Sequence, residues 1–352
     1  MATRILVVGA GLIGQVHVAA IAADPTLELV GVADRREDRR ELARSHAVPW
    51  FPTLDAALAA VGPDGVDGVL IATPNDSHVE LTTRAIEAGL PVLLEKPVAD
   101  TLDGARELYR RAQELDATVL VGHHRVHSPI MQAARRVVDE GLLGDLVAVT
   151  GTALFYKPDS YFEPEWRRRK GAGPILVNLV HEIQNLRMLC GEVVAVQAMA
   201  SSARRGFEVE DTAALLLRFE GGALGTFALS DTAASPRSWE QTTQENPSYA
   251  TYPDQDCYHL SGTLGALSVP TMRIHRYLDG ADASWWQPFA TSAAEWLRAD
   301  PIVAENHHFG QVVRGEATPA CTLRDGLANQ AVLDAIARAA ASGRKVAVDL
   351  PD

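Results

Sequence analysis

Three glycines follow the first apolar run of the chain at a spacing that can hold a dinucleotide. Residues 4–8 are apolar and branched after Arg4, which predicts a buried strand, and Gly9, Gly11 and Gly14 follow it. The first glycine permits a tight turn, the second lets the backbone approach a pyrophosphate, and the third lets the next helix pack on the strand. The beginning of that helix offers unpaired N–H groups to phosphates. The pattern predicts a dinucleotide site made by Gly9, Gly11, Leu12, Ile13 and Gly14.

An aspartate closes the next predicted strand. Asp34 lies 20 residues beyond Gly14, where a carboxylate can accept both ribose hydroxyls of an adenosine. Its charge would repel a 2′-phosphate, which favours NAD as the cofactor. Arg35 and Arg36 follow it and leave NADP open. The alternative is a strand-to-helix turn without a ligand, in which Asp34 serves as a helix cap.

A lysine follows another predicted strand. Glu95, Lys96 and Pro97 come after residues 91–94, and ligands of open parallel sheets bind beyond the carboxyl ends of the strands. We therefore expect Lys96 to lie near a nicotinamide, with Glu95 at the cofactor. A lysine there can bond to a substrate hydroxyl and exchange its proton while a hydride moves. The alternative is a surface lysine ahead of a helix-starting proline.

Two further strand ends carry polar groups. Thr73, Pro74, Asn75 and His78 follow the strand at 68–72 and are predicted to contact the cofactor; simple helix capping by Asn75 or Ser77 is an equal alternative. His124 and Arg125 follow Gly122, in a cationic cluster at 123–127. No cysteine or clear carboxylate partner lies nearby in the sequence, so we expect this cluster to recognise the substrate or handle a proton, and we assign no metal site.

A second group of candidates lies beyond residue 150. Residues 171–181 lead into a helix on which Asn178, His181 and Asn185 fall at helical spacings of three and four, which places them on one face. A histidine there is either a satisfied core group or a site residue. The start of an HExxH motif is also present, but Asn185 stands where the second histidine would be, so a zincin is excluded. Tyr156 and Trp166 are predicted to line a ring pocket, and residues 168–170 to form a solvated basic loop.

The composition limits the class of protein. The chain has 352 residues, which suggests two domains, and a net charge of −13, which argues against non-specific nucleic-acid binding and against anionic membranes. Three separated cysteines indicate no disulfide framework. A strand begins almost at Met1 and no apolar run reaches the ~20 residues of a membrane helix. We therefore expect a cytoplasmic enzyme with a small-molecule substrate.

The order of the elements predicts an α/β protein. Strands and helices alternate up to residue 122, which indicates a doubly wound parallel sheet over residues 1–122. Residues 123–352 contain alternating runs and a hairpin turn at 220–222, which indicate an α+β domain with a large, mostly antiparallel open sheet. Residues 235–256 are read as a surface loop or an oligomer contact, and residues 323–341 as the last helix.

With these motifs in this order, the chain resembles the Gfo/Idh/MocA family of NAD(P)-dependent oxidoreductases. The most specific part is Glu95-Lys96-Pro97 combined with Gly171-Ala172-Gly173, His181 and Arg187. The resemblance implies an N-terminal Rossmann domain, a C-terminal sheet through which a homo-oligomer, a dimer or a tetramer, forms, and catalytic roles for Lys96 and His181. It implies hydride transfer between nicotinamide and a hydroxyl or carbonyl carbon of a sugar, cyclitol or related ring compound.

The chain also departs from the family pattern. Many members carry aspartates four residues before and three residues after the histidine, where this chain has Val177 and Gln184, and His124 replaces a usual asparagine. Without a carboxylate to orient it, His181 is expected to have a less raised pKa. Two alternatives therefore stay open: the same fold acting on an imine or an aromatic dihydrodiol, and a cofactor-bound sensor without turnover. The expected substrate contacts are His124, Arg125, Tyr156, Trp166, Asn178 and His181.

Overall fold

The computed structural model describes residues 2–62, 64–169, 171–278 and 283–351, and it divides into two compact units. The first contains the chain up to His127, Asp300–Gln330 and Pro351; the second contains Ser128–Ala299 and Ala331–Leu350. This division corrects the predicted single boundary at residue 122. Residues 300–330 belong with the first unit because Phe309 is buried in the same core as Ile5 and Val7. Lys170, at the end of the expected basic loop, lies outside the described residues.

The first unit is built on a six-stranded sheet in which every pair of neighbours is parallel. This confirms the predicted doubly wound domain. The two central strands are almost wholly buried, as their unbroken apolar sequences require. In chain order, the strands are β1 (Thr3–Val8), β2 (Leu27–Ala33), β3 (Trp50–Phe51), β4 (Gly68–Ile71), β5 (Val92–Glu95) and β6 (Val119–Gly122). Their order in the sheet is β3-β2-β1-β4-β5-β6.

Five helices connect these strands: α1 (Leu12–Ala23), α2 (Arg40–Ser45), α3 (Leu54–Val61), α4 (His78–Glu87) and α5 (Leu102–Glu114). Thr53 caps α3 and Thr101 caps α5, each through its side-chain oxygen. The alternative of a cap of α4 by Ser77 is wrong, because the Ser77 hydroxyl makes no cap bond and lies within hydrogen-bond distance of Thr73 Oγ1 and the Pro74 carbonyl instead. Short 3₁₀ turns cover Glu37–Arg39, Asn75–Ser77 and His124–His127.

The second unit is built on a nine-stranded sheet. Its strands are β7 (Leu146–Leu154), β8 (Val193–Ser201), β9 (Thr212–Phe219), β10 (Leu224–Ser230), β11 (Tyr258–Gly262), β12 (Gly265–Val269), β13 (Arg273–Arg276), β14 (Ala290–Ala293) and β15 (Val346–Ala347). They lie in the order β14-β13-β12-β11-β7-β10-β9-β8-β15. Only the pair of β7 and β10 is parallel among the described strands of this sheet, so the predicted antiparallel character and the hairpin between β9 and β10 are confirmed.

The remaining helices, in chain order, are α6 (Pro129–Asp139), α7 (Pro174–Val177), α8 (Leu179–Cys190), α9 (Trp239–Thr242), α10 (Pro301–Val313) and α11 (Leu323–Ser342). The reading of residues 235–256 as a surface loop is wrong at α9. Trp239 is buried there beside Tyr258, with 6.0 Å between the ring centroids, and its indole N–H donates to Glu245 at 2.9 Å. Within the described residues, none of the helices has the length and apolarity to cross a bilayer.

Candidate functional site

The turn after β1 has the geometry that its three glycines predict. Gly9 has a φ of +94°, and a Cβ on it would lie 2.6 Å from the backbone of Ala72. A Cβ on Gly14 would overlap the carbonyl oxygen of Gly9. Gly11 differs, because no atom lies within 4 Å of the position its Cβ would take. Two glycines are therefore required by the packing of α1 on the sheet, and the middle one leaves its backbone open to a ligand at the N-terminus of α1.

Asp34 organises the same edge of the sheet. Its Oδ2 accepts the backbone N–H of Ala10 at 2.7 Å, and its Oδ1 accepts the backbone N–H of Arg36 at 2.8 Å. The guanidinium of Arg36 is directed to Asp38, with 2.5 Å between Nη2 and Oδ2, and Arg35 is exposed. The carboxylate of Asp34 is thus held beside the glycine turn, partly exposed, where an adenosine ribose could reach it.

His78 joins the segments that follow β4 and β5. The side chain is buried, with Nδ1 at 2.8 Å from the carbonyl oxygen of Pro97 and Nε2 at 2.9 Å from that of Thr73. Burial lowers the pKa of His78, although both carbonyls oppose this. Since both ring nitrogens face backbone carbonyls, we assign His78 a role in holding the two segments together. The cofactor contacts expected of Thr73, Pro74, Asn75 and His78 stay predictions.

The backbone of Lys96 is held by a buried carboxylate. Glu95 is the last residue of β5, and its Oε2 accepts the backbone N–H of Lys96 at 3.1 Å. Its Oε1 lies 3.0 Å from Nε2 of His17, which comes from α1. Burial disfavours the carboxylate, but the hydrogen bond with His17 and the charges of His17 and Lys96 outweigh it, so the pKa of Glu95 lies below its usual range. The Lys96–Pro97 peptide bond is cis.

The turn after β6 contributes His124 and Arg125 to the same region. Burial lowers the pKa of His124 well below its usual value, and the positive charges of Arg125 and Lys96 lower it further. His124 is therefore a neutral imidazole, able to donate one hydrogen bond and accept another. Arg125 is buried. The structure thus brings Lys96 and both of these predicted substrate contacts into one electrostatic neighbourhood of the first unit.

Sequence reasoning missed a buried polar cluster beneath Lys96. One ligand-type atom from each of His17, Glu95 and Glu305 lies within 4.8 Å of the others, and all three residues are buried. Asn306 completes the cluster, with Nδ2 at 2.9 Å from Nδ1 of His17. The available signal was the acidic residue four positions before Phe309 in α10, because that spacing puts Glu305 on the core-facing side of the helix.

In the second unit, the three polar residues of the predicted helix face have different surroundings. Asn178 falls between α7 and α8, and its Oδ1 accepts from Lys157 Nζ at 2.8 Å. His181 is partly exposed near the beginning of α8. Asn185 is buried and donates to the Tyr258 hydroxyl at 3.0 Å, which makes it a core group. Of the two alternatives for this face, Asn185 therefore follows the core reading.

Lys157 is a second residue that the sequence left unassigned. Its Nζ lies 3.6 Å from Asp231 Oδ2, and the other oxygen of Asp231 accepts from Arg205 Nε at 3.1 Å. Burial lowers the pKa of Lys157, and the charge of Asp231 partly offsets this. The guanidinium of Arg205 lies 5.3 Å from the ring of Tyr156. Lys157 and Arg205 therefore share the buried carboxylate of Asp231 beside Asn178.

The predicted pocket aromatics are largely exposed. Tyr156 is 58% exposed and Trp166 is 59% exposed. Trp166 stands in a 3₁₀ turn with the Arg167 guanidinium 5.2 Å from its ring. Both rings have a free surface that could contact a ligand, and their predicted substrate contacts stay predictions.

The strand order of the first unit, with polar groups at the carboxyl ends of its strands, defines a dinucleotide-binding α/β domain of the Rossmann class. A family model described as an oxidoreductase family with an NAD-binding Rossmann fold matches residues 3–123, and a model of the GFO/IDH/MocA C-terminal domain matches residues 131–268. The chain belongs to the Gfo/Idh/MocA oxidoreductase family, and it is an enzyme with an NAD-binding domain, as the resemblance implied.

Named relatives agree with this assignment. The chain is 26% identical to an inositol 2-dehydrogenase of Rhizobium meliloti over 348 residues, covering 99% of this chain and 100% of the relative. It is 27% identical to a 1,5-anhydro-D-fructose reductase of Ensifer adhaerens, covering 82% of each. The WlbA dehydrogenase of Bordetella pertussis, solved with NADH and UDP-GlcNAcA, shares the fold with a TM-score of 0.78 and 22% identity over the whole of both chains.

Proposed function

We propose that this enzyme transfers a hydride between NAD and a hydroxyl or carbonyl carbon of a sugar, cyclitol or related ring compound. The observation that carries the proposal is the position of Lys96. It follows β5 at the carboxyl edge of the sheet that also bears the glycine turn, and a buried carboxylate fixes its backbone. The names of the relatives, an inositol dehydrogenase and an anhydrofructose reductase, support ring polyols or ketoses as the substrate class.

The protein's own part in this reaction is binding and proton handling. Bound NAD supplies the hydride acceptor or donor. Lys96 would bond to the substrate oxygen and take up or return its proton, while neutral His124 and buried Arg125 bind the same compound. The substrate contacts expected of His181 and Asn178 stay predictions. Because Val177 and Gln184 stand where many relatives have carboxylates, Lys96 is proposed as the main proton acceptor.

We further propose NAD rather than NADP as the preferred cofactor. Asp34 is held at the end of β2 by two backbone N–H groups, so its charge stays beside the ribose position. Arg36, which could compensate a 2′-phosphate, is engaged with Asp38. The open space at Gly11 and the helix N-terminus that follows would accept the pyrophosphate.

A substrate panel tests the function. Purified protein would be assayed with inositols, aldoses, anhydro sugars and their oxidised forms, with NAD or NADH, by following the absorbance of NADH. We expect turnover of at least one ring polyol or its ketone. Calorimetry with NAD would run beside it. Cofactor binding without turnover across this panel would contradict the proposed substrate class, and no binding of either nicotinamide cofactor would contradict the site itself.

We also propose that the enzyme is a homo-oligomer through the nine-stranded sheet. Successive residues of β9 alternate between buried and exposed, and the exposed face carries large apolar side chains. Met199 is 77% exposed, Leu216 54% and Leu224 61%, and the strand register places all three on this face. Leu216→Glu should shift the mass measured by light scattering to that of a smaller species, whereas an unchanged mass would contradict this interface.

A further inference from the structure

Glu305 is a buried carboxyl group that its surroundings do not pair. The residue is fully buried on α10, and neither of its oxygens has a hydrogen-bond partner among the described residues. An ionised carboxylate in that position would be strongly disfavoured, because no described group donates a hydrogen bond to it. Burial raises the pKa of Glu305 well above its usual value, and the nearby charge of Glu95 raises it further. These surroundings favour the neutral acid form of Glu305.

The neighbouring hydrogen bonds orient the His17 ring. The side-chain amide of Asn306 donates to the helical carbonyl of Ile302 at 2.8 Å, which orients its nitrogen. The second N–H of that amide points to Nδ1 of His17 at 2.9 Å, so Nδ1 accepts. On the other side of the ring, Nε2 donates to Glu95 Oε1 at 3.0 Å.

We propose that His17, Glu95 and Glu305 form a positioning cluster in which Glu305 is a neutral acid and the carboxylate charge is held on Glu95 as the counter-ion of Lys96. The charge stays on Glu95 because that carboxylate accepts from His17 and from the Lys96 backbone, whereas Glu305 accepts from neither. The role of the cluster in the reaction rests on the proposed function of Lys96; its protonation state does not.

Several titratable or charged groups from neighbouring elements, Lys96 and Glu95 among them, share one electrostatic environment. They are His17 of α1, His78 of α4, Glu95 and Lys96 at the end of β5, His123, His124 and Arg125 after β6, and Glu305 of α10. The positively charged groups among them disfavour the protonated form of Lys96, whereas the negative charge of Glu95 favours it. Removing the charge of Glu95 should therefore make Lys96 lose its proton at lower pH.

Infrared spectroscopy tests the protonation without turnover. At neutral pH the full-length protein should show the carbonyl stretch of a buried protonated carboxylic acid. The band should be lost in E305Q and kept in E95Q and in the surface control E107Q, whose carboxylate is exposed and paired with Arg110. A band that is missing from the wild type, or that survives in E305Q, would overturn the proposal. A stoichiometric divalent metal in the purified protein that E305Q loses would also overturn it, since the ion would then balance the charge.

The pH profile of kcat tests the positioning role. For substrate oxidation, the rise of kcat with pH should move to lower pH by about one unit in E95Q. In E305Q the midpoint of this rise should stay at the pH of the wild type, because a neutral amide replaces a neutral acid. Equal downward shifts in both variants would mean that Glu305 is charged, and no shift in E95Q would refute the counter-ion role. If no substrate is found, the infrared result still decides the protonation of the cluster, so the two proposals fail separately.

Discussion

The Asp34 carboxylate accepts the backbone N–H of Ala10 at 2.7 Å, which ties the end of β2 to the glycine turn after β1. The two residues are 24 positions apart and lie at the carboxyl ends of neighbouring parallel strands. Because Ala10 holds one oxygen and Arg36 holds the other, the carboxylate cannot swing away from the turn. An adenosine ribose would meet an acceptor whose position is set before the cofactor binds, which reduces the entropy cost of binding.

Replacing Asp34 tests the choice of cofactor. Asp34→Ala removes the charged acceptor and should weaken NAD binding about tenfold to hundredfold, the range expected for lost hydrogen bonds to a charged group. NADP binding should weaken less or improve, because its phosphate no longer meets a negative charge. Calorimetric affinities for both cofactors provide the measurement, with Asp103→Ala on the surface of α5 as the control. An unchanged ratio of the two affinities would remove the argument for NAD.

Substitutions at two glycines of the turn should affect protein stability and NAD binding separately. Gly14→Ala places a methyl group against the Gly9 carbonyl and should lower the free energy of unfolding by about 1–3 kcal/mol. Gly11→Ala has open space and should keep stability within about 0.5 kcal/mol, while NAD affinity falls at least about tenfold because the backbone can no longer be approached. Urea unfolding and calorimetry measure the two effects. Gly221→Ala, which also places its methyl group in open space, is the control. If Gly11→Ala and Gly221→Ala bound NAD equally well, this would count against the cofactor site.

The parts that could be predicted from the sequence were those encoded locally. The strand, glycine turn and helix at residues 3–23 depend on contacts between near neighbours, and the hairpin between β9 and β10 depends on a short turn. The placement of Lys96 at a strand end followed from the rule for parallel sheets. Apolar runs alone did not reveal short edge strands such as β14 and β15, because two to four residues carry too little periodicity.

What could not be predicted depends on residues far apart in the chain. His17 and Asn306 are 289 positions apart and meet only because α1 packs against α10. The same holds for Lys157 and Asp231, which the sheet topology brings together. The division of the chain into units was missed for this reason too: residues 300–330 return to the first unit after the whole of the second sheet.

Lys96 should be essential for the proton transfer and dispensable for cofactor binding. Lys96→Met keeps most of the bulk of the side chain and removes the ammonium group, so kcat should fall about 10²- to 10⁴-fold. The NAD affinity should change little. Steady-state kinetics and calorimetry measure this, with exposed Lys345→Met as the control. A loss of only a few-fold in kcat would show that another group handles the proton.

Acidification should destabilise the folded protein because His127 is buried. Burial lowers the pKa of this histidine to about 4, with a smaller effect of His308. The unfolded chain takes up a proton near pH 6.5 and the folded protein does not, so the stability present above pH 6.5 is lost as the pH falls towards 4. The loss at pH 5 should be about 2 kcal/mol. In urea unfolding, the free energy of unfolding of His127→Phe should fall by about 2 kcal/mol less between pH 7 and pH 5 than that of the wild type. Exposed His259→Phe should behave as the wild type does; identical losses in all three proteins would refute the assignment.

Lys157 should contribute to substrate binding. Its ammonium group lies between Asn178 and Asp231 and only 12% of its side chain is exposed, so a ligand that reaches Asn178 also meets a poorly hydrated positive charge. Lys157→Met removes that charge, while Asp231 keeps its bond with Arg205 and so is not left as an unpaired buried ion. The fold should therefore survive. We expect KM for the substrate to rise about tenfold, equivalent to about 1.4 kcal/mol, with kcat and NAD affinity nearly unchanged. Lys345→Met again serves as the control, and a fall in kcat without a change in KM would place Lys157 in the chemical step instead.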